Sequence, residues 1–356
     1  MTAKATRRWL KPAAFLFRSI VRARNLAFDR KWLTIGRPGV PVISVGNIAV
    51  GGAGKTPLVT FLADMISGWD KKVAVVSRGY ARKSRGTVIV SDGNTIMVPV
   101  EVSGDEPAML ARKLRHVVIV VDERRYRGCR VAIERFGAEV IILDDAFQHR
   151  ACARDFDIVA VEAGMDIREE ALLPVGRLRE PVANLARADA VVLTKCPPSQ
   201  GCEDEASKIF HACRKPVFPA SFEPVAMVDW FEKKEVRIPG FVYVVSGVAH
   251  PDHFLATLGN LGIQVVGSST FRDHHWFSDD DVAEILRQAG KTGAGAIITT
   301  EKDAVRLERF SQSFARIPLY VVVMEMRLLR DQQAFHGMIA HVVAGRRVNE
   351  PSGQKE

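Results

Sequence analysis

Short runs of apolar, mostly β-branched residues recur along this chain, and segments with helical periodicity separate them. The strand-like runs in the first two thirds are Val42–Val45, Val73–Val76, Val117–Val121, Val140–Leu143, Ile158–Val161 and Ala190–Leu193. The helical patterns between them are Pro57–Ile66, Pro107–Leu114 and Tyr126–Phe136. Because fully apolar strands bounded by helices are typical of a sheet covered on both faces, the pattern predicts an α/β fold with a mainly parallel sheet.

Two further features extend this alternation. Between Thr87 and Val100, two short strands flank an Asp-Gly-Asn turn, which predicts an inserted β-hairpin. A second series of strands and helices, predicting a second, smaller α/β lobe, consists of Phe241–Val245, Phe254–Leu261, Ile263–Gly267, Asp281–Ala289, Ala296–Thr299, Leu319–Val323 and Asp331–Ala344.

These patterns divide the chain into five predicted parts. Residues 1–34 form an amino-terminal arm, and residues 35–222 form the first lobe. Residues 223–240, which include Pro224 and Pro239, are predicted to be a linker. The second lobe spans residues 241–345, and residues 346–356 are expected to be a disordered tail.

The positive charge of this chain is concentrated in the arm. The 356 residues include 50 Lys and Arg and 41 Asp and Glu, for a net charge of +9. Up to Lys31 there are nine cations and one acidic residue, Asp29, which accounts for +8 of that charge. The rest of the chain is nearly neutral, so we expect no nucleic-acid binding.

Residues of the arm follow a helical pattern with two faces. One face collects the cations Arg7, Lys11, Arg18 and Arg22, and the opposite face collects Leu10, Ala14, Phe17, Val21 and Phe28. Such a helix can lie in the headgroup region of an anionic membrane. It can equally pack its apolar stripe on the body and leave the arginines in water.

The cysteines and the amino terminus both indicate a cytoplasmic protein. The five cysteines form no CxxC pair, and we interpret them as reduced thiols. The sequence contains no apolar run long enough to span a bilayer and no pattern of a secretory signal.

A glycine-rich turn follows the strand at Val42–Val45 and opens the helix at Pro57–Ile66. Backbone N–H groups in such a turn converge on phosphate oxygens, and the helix amino terminus adds partial positive charge. Lys55 is expected to reach the β- and γ-phosphates, and the Thr56 hydroxyl to bind Mg²⁺. The predicted loop consists of Gly51, Gly52, Ala53, Gly54, Lys55 and Thr56.

Residues at the ends of two strands indicate the metal ligands and the type of nucleotide. The strand Val140–Leu143 ends in Asp144 and Asp145, where a carboxylate that holds Mg²⁺ is expected. Either aspartate is a candidate metal ligand, and a plain turn is the alternative. A Thr-Lys pair after Ala190–Leu193 resembles a guanine-reading motif, but Pro197 replaces its carboxylate, so ATP is predicted as the nucleotide.

Taken in order, the motifs resemble those of the tetraacyldisaccharide 4′-kinases of lipid A biosynthesis. The resemblance extends from about Pro41 to Val305, and Ala146 stands where the family usually has glycine. The matching stretches are Ser44–Asn47, Val50–Pro57, Ser77–Tyr80, Gly104–Pro107, Leu143–His149, Leu172–Pro181, Ser246–Ala249, Asp273–His275 and Thr299–Val305.

This resemblance implies a P-loop kinase that uses ATP and Mg²⁺ to phosphorylate the 4′-hydroxyl of a tetraacyl glucosamine disaccharide 1-phosphate. It implies Asp105 as the catalytic base and His274 of the second lobe as its partner, with Lys55 as a third catalytic residue. For Asp105 the alternative is a helix cap, and His275 is the alternative to His274. Residues implied to bind the phosphates or the disaccharide are Arg78, Gln148, His149, Arg179 and Glu180.

The acceptor implied by the resemblance carries four acyl chains, which favours the membrane interpretation of the arm. We therefore expect a peripheral protein on the cytoplasmic face of the inner membrane, with the anionic lipid surface and the acylated disaccharide phosphate as its partners. A rival hypothesis is a membrane-surface P-loop switch that hydrolyses ATP. A soluble small-sugar or nucleoside kinase would leave the arm unexplained.

Overall fold

A single mixed sheet organises the computed structural model, which describes residues 9–198, 202–237, 240–248 and 251–345. Within these ranges the strands are β1 Val42–Asn47, β2 Val73–Ser77, β3 Val88–Ser91, β4 Val118–Val121, β5 Val140–Leu143, β6 Phe156–Glu162, β7 Ala190–Thr194, β8 Val217–Asp229, β9 Phe241–Ser246, β10 Gln264–Thr270, β11 Ala296–Thr299 and β12 Leu319–Leu328. Their order in the sheet is β10-β9-β11-β12-β8-β7-β6-β1-β5-β2-β4-β3.

Helices cover both faces of this sheet. They are α1 Lys11–Asp29, α2 Lys55–Ser67, α3 Val100–Ser103, α4 Asp105–Lys113, α5 Arg125–Phe136, α6 Glu203–Cys213, α7 Pro251–Asn260, α8 Asp279–Lys291, α9 Glu301–Leu307 and α10 Gln332–Val343, with 3₁₀ segments at Val182–Arg187 and Glu308–Ala315. None of the helices in the described part of the chain is both long and apolar enough to cross a membrane.

The apolar runs predicted as strands correspond to buried strands at the centre of the sheet. All residues of β1, β2 and β5 are buried, and these strands pair in parallel. A strand that is covered on both faces loses the alternation of polar and apolar residues and becomes a continuous apolar run. The predicted α/β class with a mainly parallel sheet is confirmed.

The first part of the segment predicted as a linker, residues 223–229, belongs to a strand. β8 extends through residue 229, pairs in parallel with β7 and in antiparallel orientation with β12, and so joins the two halves of the sheet. Its pairing with β12 shifts between Val323 and Met324, opposite Pro224. Proline is tolerated in strands at such irregularities, which is why Pro224 misled the prediction. Pro239 lies outside the described residues.

The two predicted lobes also share their cores. Phe335, Ile339 and Val342 of α10 pack with Leu58 and Leu62 of α2 in the first half. In the opposite direction, Val100 and Ala108 belong to the core of the second half. The predicted boundaries at residues 222 and 241 therefore cut through buried contacts, and the predicted tail, 346–356, lies outside the described residues.

At the far edge of the sheet, the predicted hairpin is only half formed. β3 pairs in antiparallel orientation with β4, and the Asp92 N–H donates to the Thr95 carbonyl in the turn. The second arm of the hairpin makes a single bridge, between Ser91 and Ile96. The turn was predicted correctly, but the second strand was not.

Candidate functional site

The phosphate loop lies between β1 and α2, as predicted. Gly51 and Gly54 have φ angles of 122° and 71°, in the region that favours glycine. A Cβ atom on Gly54 would lie 2.3 Å from the Phe222 ring, so a side chain is excluded there as well. The helix α2 begins at Lys55, whose Nζ lies 3.5 Å from Oδ1 of Asp145. Lys55 therefore faces the carboxylates at the end of β5.

Asp144 and Asp145 differ sharply in their surroundings. Asp144 is buried, and its Oδ2 accepts a 2.8 Å hydrogen bond from the Ser77 hydroxyl. Burial, together with the charge of Asp145, raises the pKa of Asp144. Burial also acts to raise the pKa of Asp145, but the charges of Lys55 and Arg179 outweigh it, so that pKa lies below its ordinary value. The Arg179 guanidinium donates to Asp145 at 3.1 Å.

Glu106 is a site residue that sequence reasoning missed. It follows Asp105 at the start of α4, and its pKa is raised to about 7 by burial and by the nearby charge of Asp144. Lys302 and Lys55 act in the opposite direction. Its position inside the Gly-Asp-Glu-Pro motif was the available signal, but an acidic residue in a first helical turn is also common for purely structural reasons.

These groups fit a Mg²⁺ site of the kind found in phosphate-transferring proteins. No cluster of three or more His, Cys, Asp or Glu side chains suited to a metal occurs among the described residues. Mg²⁺, however, is usually held by one or two carboxylates, water and the substrate phosphates. The pKa values of Asp144 and Glu106 are raised by burial and in part because other negative charges lie close to them. A divalent cation bound beside these carboxylates would relieve that repulsion.

Asp105 and His274 meet across the two halves of the molecule. His274 Nδ1 lies 2.8 Å from Oδ2 of Asp105, which is buried at the amino terminus of α4. Burial acts to raise the pKa of Asp105, but the hydrogen bond from His274 and the charge of Lys302 outweigh it, so the pKa is lowered. Oδ1 accepts the Glu106 N–H at 2.9 Å. The carboxylate is therefore ionised and already oriented.

The structure separates the two neighbouring histidines. His275 lies 3.0 Å from Asp281 and stacks on Phe271, within the second half of the molecule. His274 alone reaches Asp105, and it does so with a φ of 59°, a left-handed conformation that is rare for a non-glycine residue. The ambiguity left by the sequence is resolved in favour of His274.

A cleft of about 610 Å³ lies beside the phosphate loop. It is lined by Arg78, Asp145, Gln148, His149 and Arg179 from the body, and by Phe17, Ile20, Val21 and Arg24 from α1. Burial and the neighbouring arginines lower the pKa of His149 to about 4, so this ring is neutral at physiological pH. The cleft thus joins a wall that carries Arg78 and Arg179 to a largely apolar one.

Glu180 does not face this cleft, contrary to the expectation that it binds substrate. Its carboxylate is fully buried and accepts hydrogen bonds from Arg24, Asn25, Asn184 and Arg187. Because two of these donors belong to α1, Glu180 anchors that helix to the body. The adjacent Arg179 is the member of the pair that reaches the site.

A buried ionised carboxylate, a phosphate loop and strand-end carboxylates together define a P-loop phosphotransferase. A family model described as Tetraacyldisaccharide-1-P 4′-kinase matches residues 6–344. The chain belongs to this family of kinases, which confirms the resemblance inferred from its motifs.

Individual relatives give the same result. The chain is 36% identical over 342 residues to the tetraacyldisaccharide 4′-kinase of Chlorobium limicola, covering 94% of this chain and 97% of that one. It is 39% identical over 317 residues to the kinase of Aquifex aeolicus, with 86% and 91% covered. The crystal structure of the "apo" form of LpxK from Aquifex aeolicus in complex with ATP superposes with a TM-score of 0.78, at 34% identity, over 95% of this chain and 99% of that one.

Proposed function

We propose that the protein transfers the γ-phosphate of ATP to the 4′-hydroxyl of a tetraacyl glucosamine disaccharide 1-phosphate, in the biosynthesis of lipid A. The observation that carries this proposal is the pairing of the buried Asp105 with His274, with a 2.8 Å contact between Oδ2 and Nδ1. A sugar hydroxyl has a pKa far above 7 and needs a positioned base, whereas a hydrolytic switch does not need this pair. The names of the relatives support the same acceptor.

Thr56, Asp144, Asp145 and Glu106 are the residues that would hold Mg²⁺ with the nucleotide. The metal would neutralise charge that develops on the transferring phosphoryl group. Lys55 contributes a fixed positive charge beside Asp145, within reach of phosphates that occupy the loop. The glycine-rich loop supplies backbone N–H donors to the same phosphates.

Asp105 accepts the proton of the attacking 4′-hydroxyl in this mechanism. Both oxygens of its carboxylate already accept one hydrogen bond, from His274 and from the Glu106 backbone, and each keeps a free lone pair. His274 orients the carboxylate. Arg78 and Arg179, with the neutral donors of Gln148 and His149, would bind the anionic disaccharide.

The outer face of α1 supports a further part of the proposal, attachment to an anionic membrane surface. The apolar stripe inferred from the sequence packs partly on the body, because Val21 and Phe28 are buried. A different apolar sector of α1, formed by Phe15, Leu16, Ile20 and Leu26, is exposed, and Trp9 just before the helix is exposed as well. Through Phe15 and Leu26 this sector borders the basic face of Lys11, Arg18 and Arg22, an arrangement suited to the headgroup region on the cytoplasmic side of the inner membrane.

Mass spectrometry of the lipid product tests the proposed reaction. The full-length protein, MgATP and a tetraacyl disaccharide 1-phosphate should give the doubly phosphorylated lipid. Asp105→Asn should lower the rate by about 100- to 10,000-fold, because a general base is lost while the shape of the side chain is kept. Asp280→Asn, at an exposed position of α8, is the matched control and should leave the rate unchanged. ATP hydrolysis without lipid product would favour the switch instead.

A further inference from the structure

The segment Thr299–Val305 matches a motif of the family, and its first helical turn contacts the Asp105–His274 pair. Thr300 caps α9 by accepting the Asp303 N–H. Asp303 is buried and holds the Gly247 N–H and the Arg306 guanidinium. Lys302, between these residues, does not join this buried network and reaches His274 and Asp273 instead.

The ammonium of Lys302 lies within hydrogen-bond distance of two groups next to the base. Its Nζ is 3.1 Å from Nε2 of His274 and 3.0 Å from Oδ1 of Asp273. It is also 3.9 Å from Oδ2 of Asp105. With about a fifth of its side chain exposed, Lys302 is largely withdrawn from solvent.

A lysine ammonium has three donors and no acceptor. The contact between Nζ and Nε2 therefore requires a lone pair on Nε2. A neutral imidazole with its lone pair on Nε2 carries its proton on Nδ1, the nitrogen that lies 2.8 Å from Asp105. The three side chains therefore form a consistent series of hydrogen bonds, in which Lys302 donates to His274 and His274 donates to Asp105.

We propose that Lys302 is a positioning residue for phosphoryl transfer, which fixes His274 in the Nδ1–H tautomer and thereby keeps Asp105 oriented as an anionic base. This proposal rests on the kinase function proposed above. Both ring nitrogens of His274 are then engaged, so the proton of the acceptor goes to Asp105 and not to the ring. Lys302 acts only through its contact with His274 and through the positive charge that it places near the Asp105–His274 pair.

Other charged groups also face the pair. Arg306 Nη1 lies 3.9 Å from Oδ2 of Asp105, Oδ2 of Asp273 lies 3.9 Å from His274 Nε2, and Glu106 follows Asp105 in α4. These groups remain when Lys302 is replaced, so the replacement removes only the contact of Lys302 with His274 and its positive charge.

Lys302→Met keeps the length of the side chain and removes its donors. Its kcat should fall by about 10- to 100-fold with little change in the KM for MgATP, as for loss of a partner that orients a functional ligand. Lys302→Arg keeps donors and a positive charge and should retain more of the wild-type kcat than Lys302→Met. Lys291→Met, at an exposed site in α8, is the matched control.

A spectroscopic readout separates this proposal from the proposed reaction. In full-length protein with ¹⁵N-labelled histidine, the His274 ring should show the neutral Nδ1–H tautomer at pH 7.5, and Lys302→Met should convert it to a mixture of tautomers. An unchanged ring signal would overturn the positioning role even if the lipid kinase activity is confirmed. A large rise in the KM for MgATP with an unchanged kcat would also overturn it, since Lys302 would then bind the nucleotide. Absence of lipid product from the wild-type protein would refute the reaction and leave the tautomer result to be judged separately.

Discussion

Individual side chains in this protein obtain their chemistry from groups that are distant in sequence. Asp105 and His274 are separated by 169 positions, yet they share a hydrogen bond inside the molecule. Burial and the groups around a carboxylate together decide its protonation state. Burial acts to raise both pKa values, but His274 and Lys302 lower that of Asp105, whereas the pKa of the adjacent Glu106 is raised to about 7. Neighbours in sequence can therefore take different roles, one as the proposed base and one as a candidate metal ligand.

Glu106 should make the stability of the metal-free protein depend on pH. Because its pKa in the folded state is raised from 4.5 to about 7, the folded state binds more protons than the unfolded state in that interval. Its contribution to stability is therefore present at low pH and is lost as the pH rises through about 7. Thermal unfolding with a chelator should show Glu106→Gln gaining stability relative to wild type between pH 5 and pH 8.

MgATP should reverse this difference, because a cation beside Glu106 and Asp144 relieves their repulsion in the wild type. Asp280→Asn serves again as an exposed acidic control and should follow the wild-type pH curve. Parallel curves for wild type and Glu106→Gln across this pH range would show that Glu106 does not titrate in the interval.

At the scale of elements, helix α1 illustrates how one amphipathic segment serves two purposes. Val21, Asn25 and Phe28 are buried against the body, and Asn25 donates to Glu180 at 3.1 Å. The exposed sector with Trp9 and Leu16 is left for another surface. A helix with one face on the protein and an apolar sector beside a basic face is suited to attach the cleft to a bilayer.

Leu16→Asn tests this exposed sector without adding charge. We expect about tenfold weaker binding to anionic phospholipid vesicles, measured by co-sedimentation, because part of a leucine side chain no longer enters the apolar region. Melting temperature and ATP binding should be unchanged, since Leu16 is 61% exposed.

Met97→Asn, at a 54% exposed position in the turn region near β3, is the matched control and should bind vesicles like the wild type. Equal vesicle binding by all three proteins would refute the membrane role of α1. Deleting the whole helix is a less specific test, because it would also uncover the residues that Val21 and Phe28 cover.

At the scale of the whole molecule, buried contacts join the two halves of the sheet. β8 connects the two halves of the sheet, and α10, near the end of the described chain, packs against the first half. Phe335 of α10 is fully buried, and the centroid of its ring lies 5.0 Å from that of Phe218 and 6.2 Å from that of Phe61. The carboxyl-terminal part of the chain therefore stabilises the lobe that carries the phosphate loop.

Phe335→Ala should lower the free energy of unfolding by about 3 kcal/mol or more, because it removes a buried ring and leaves a cavity. Urea unfolding followed by circular dichroism measures this change. Phe210→Ala, with a 43% exposed ring on α6, is the control and should cost far less. If the first half of the molecule unfolds at the same urea concentration in Phe335→Ala and in Phe210→Ala, α10 does not stabilise it.

The sequence by itself determined the α/β class, the phosphate loop and most of the strands near the middle of the sheet. These features are local, because apolar runs, glycine positions and helix starts are encoded within about a dozen residues. β8 escaped prediction because prolines interrupt it, and α9 is too short to show a clear period. The family motifs also pointed to Asp105 and His274 before their geometry was known.

Only the tertiary structure decided which candidate residues act together. It placed His274 and not His275 beside Asp105, placed Glu180 under α1, and brought Lys302 to His274 and Asp144 near Glu106. It also showed which apolar face of α1 is covered by the body. Sequence patterns report the side chain and its local backbone, whereas burial, pKa and hydrogen-bond partners depend on groups that folding brings from distant parts of the chain.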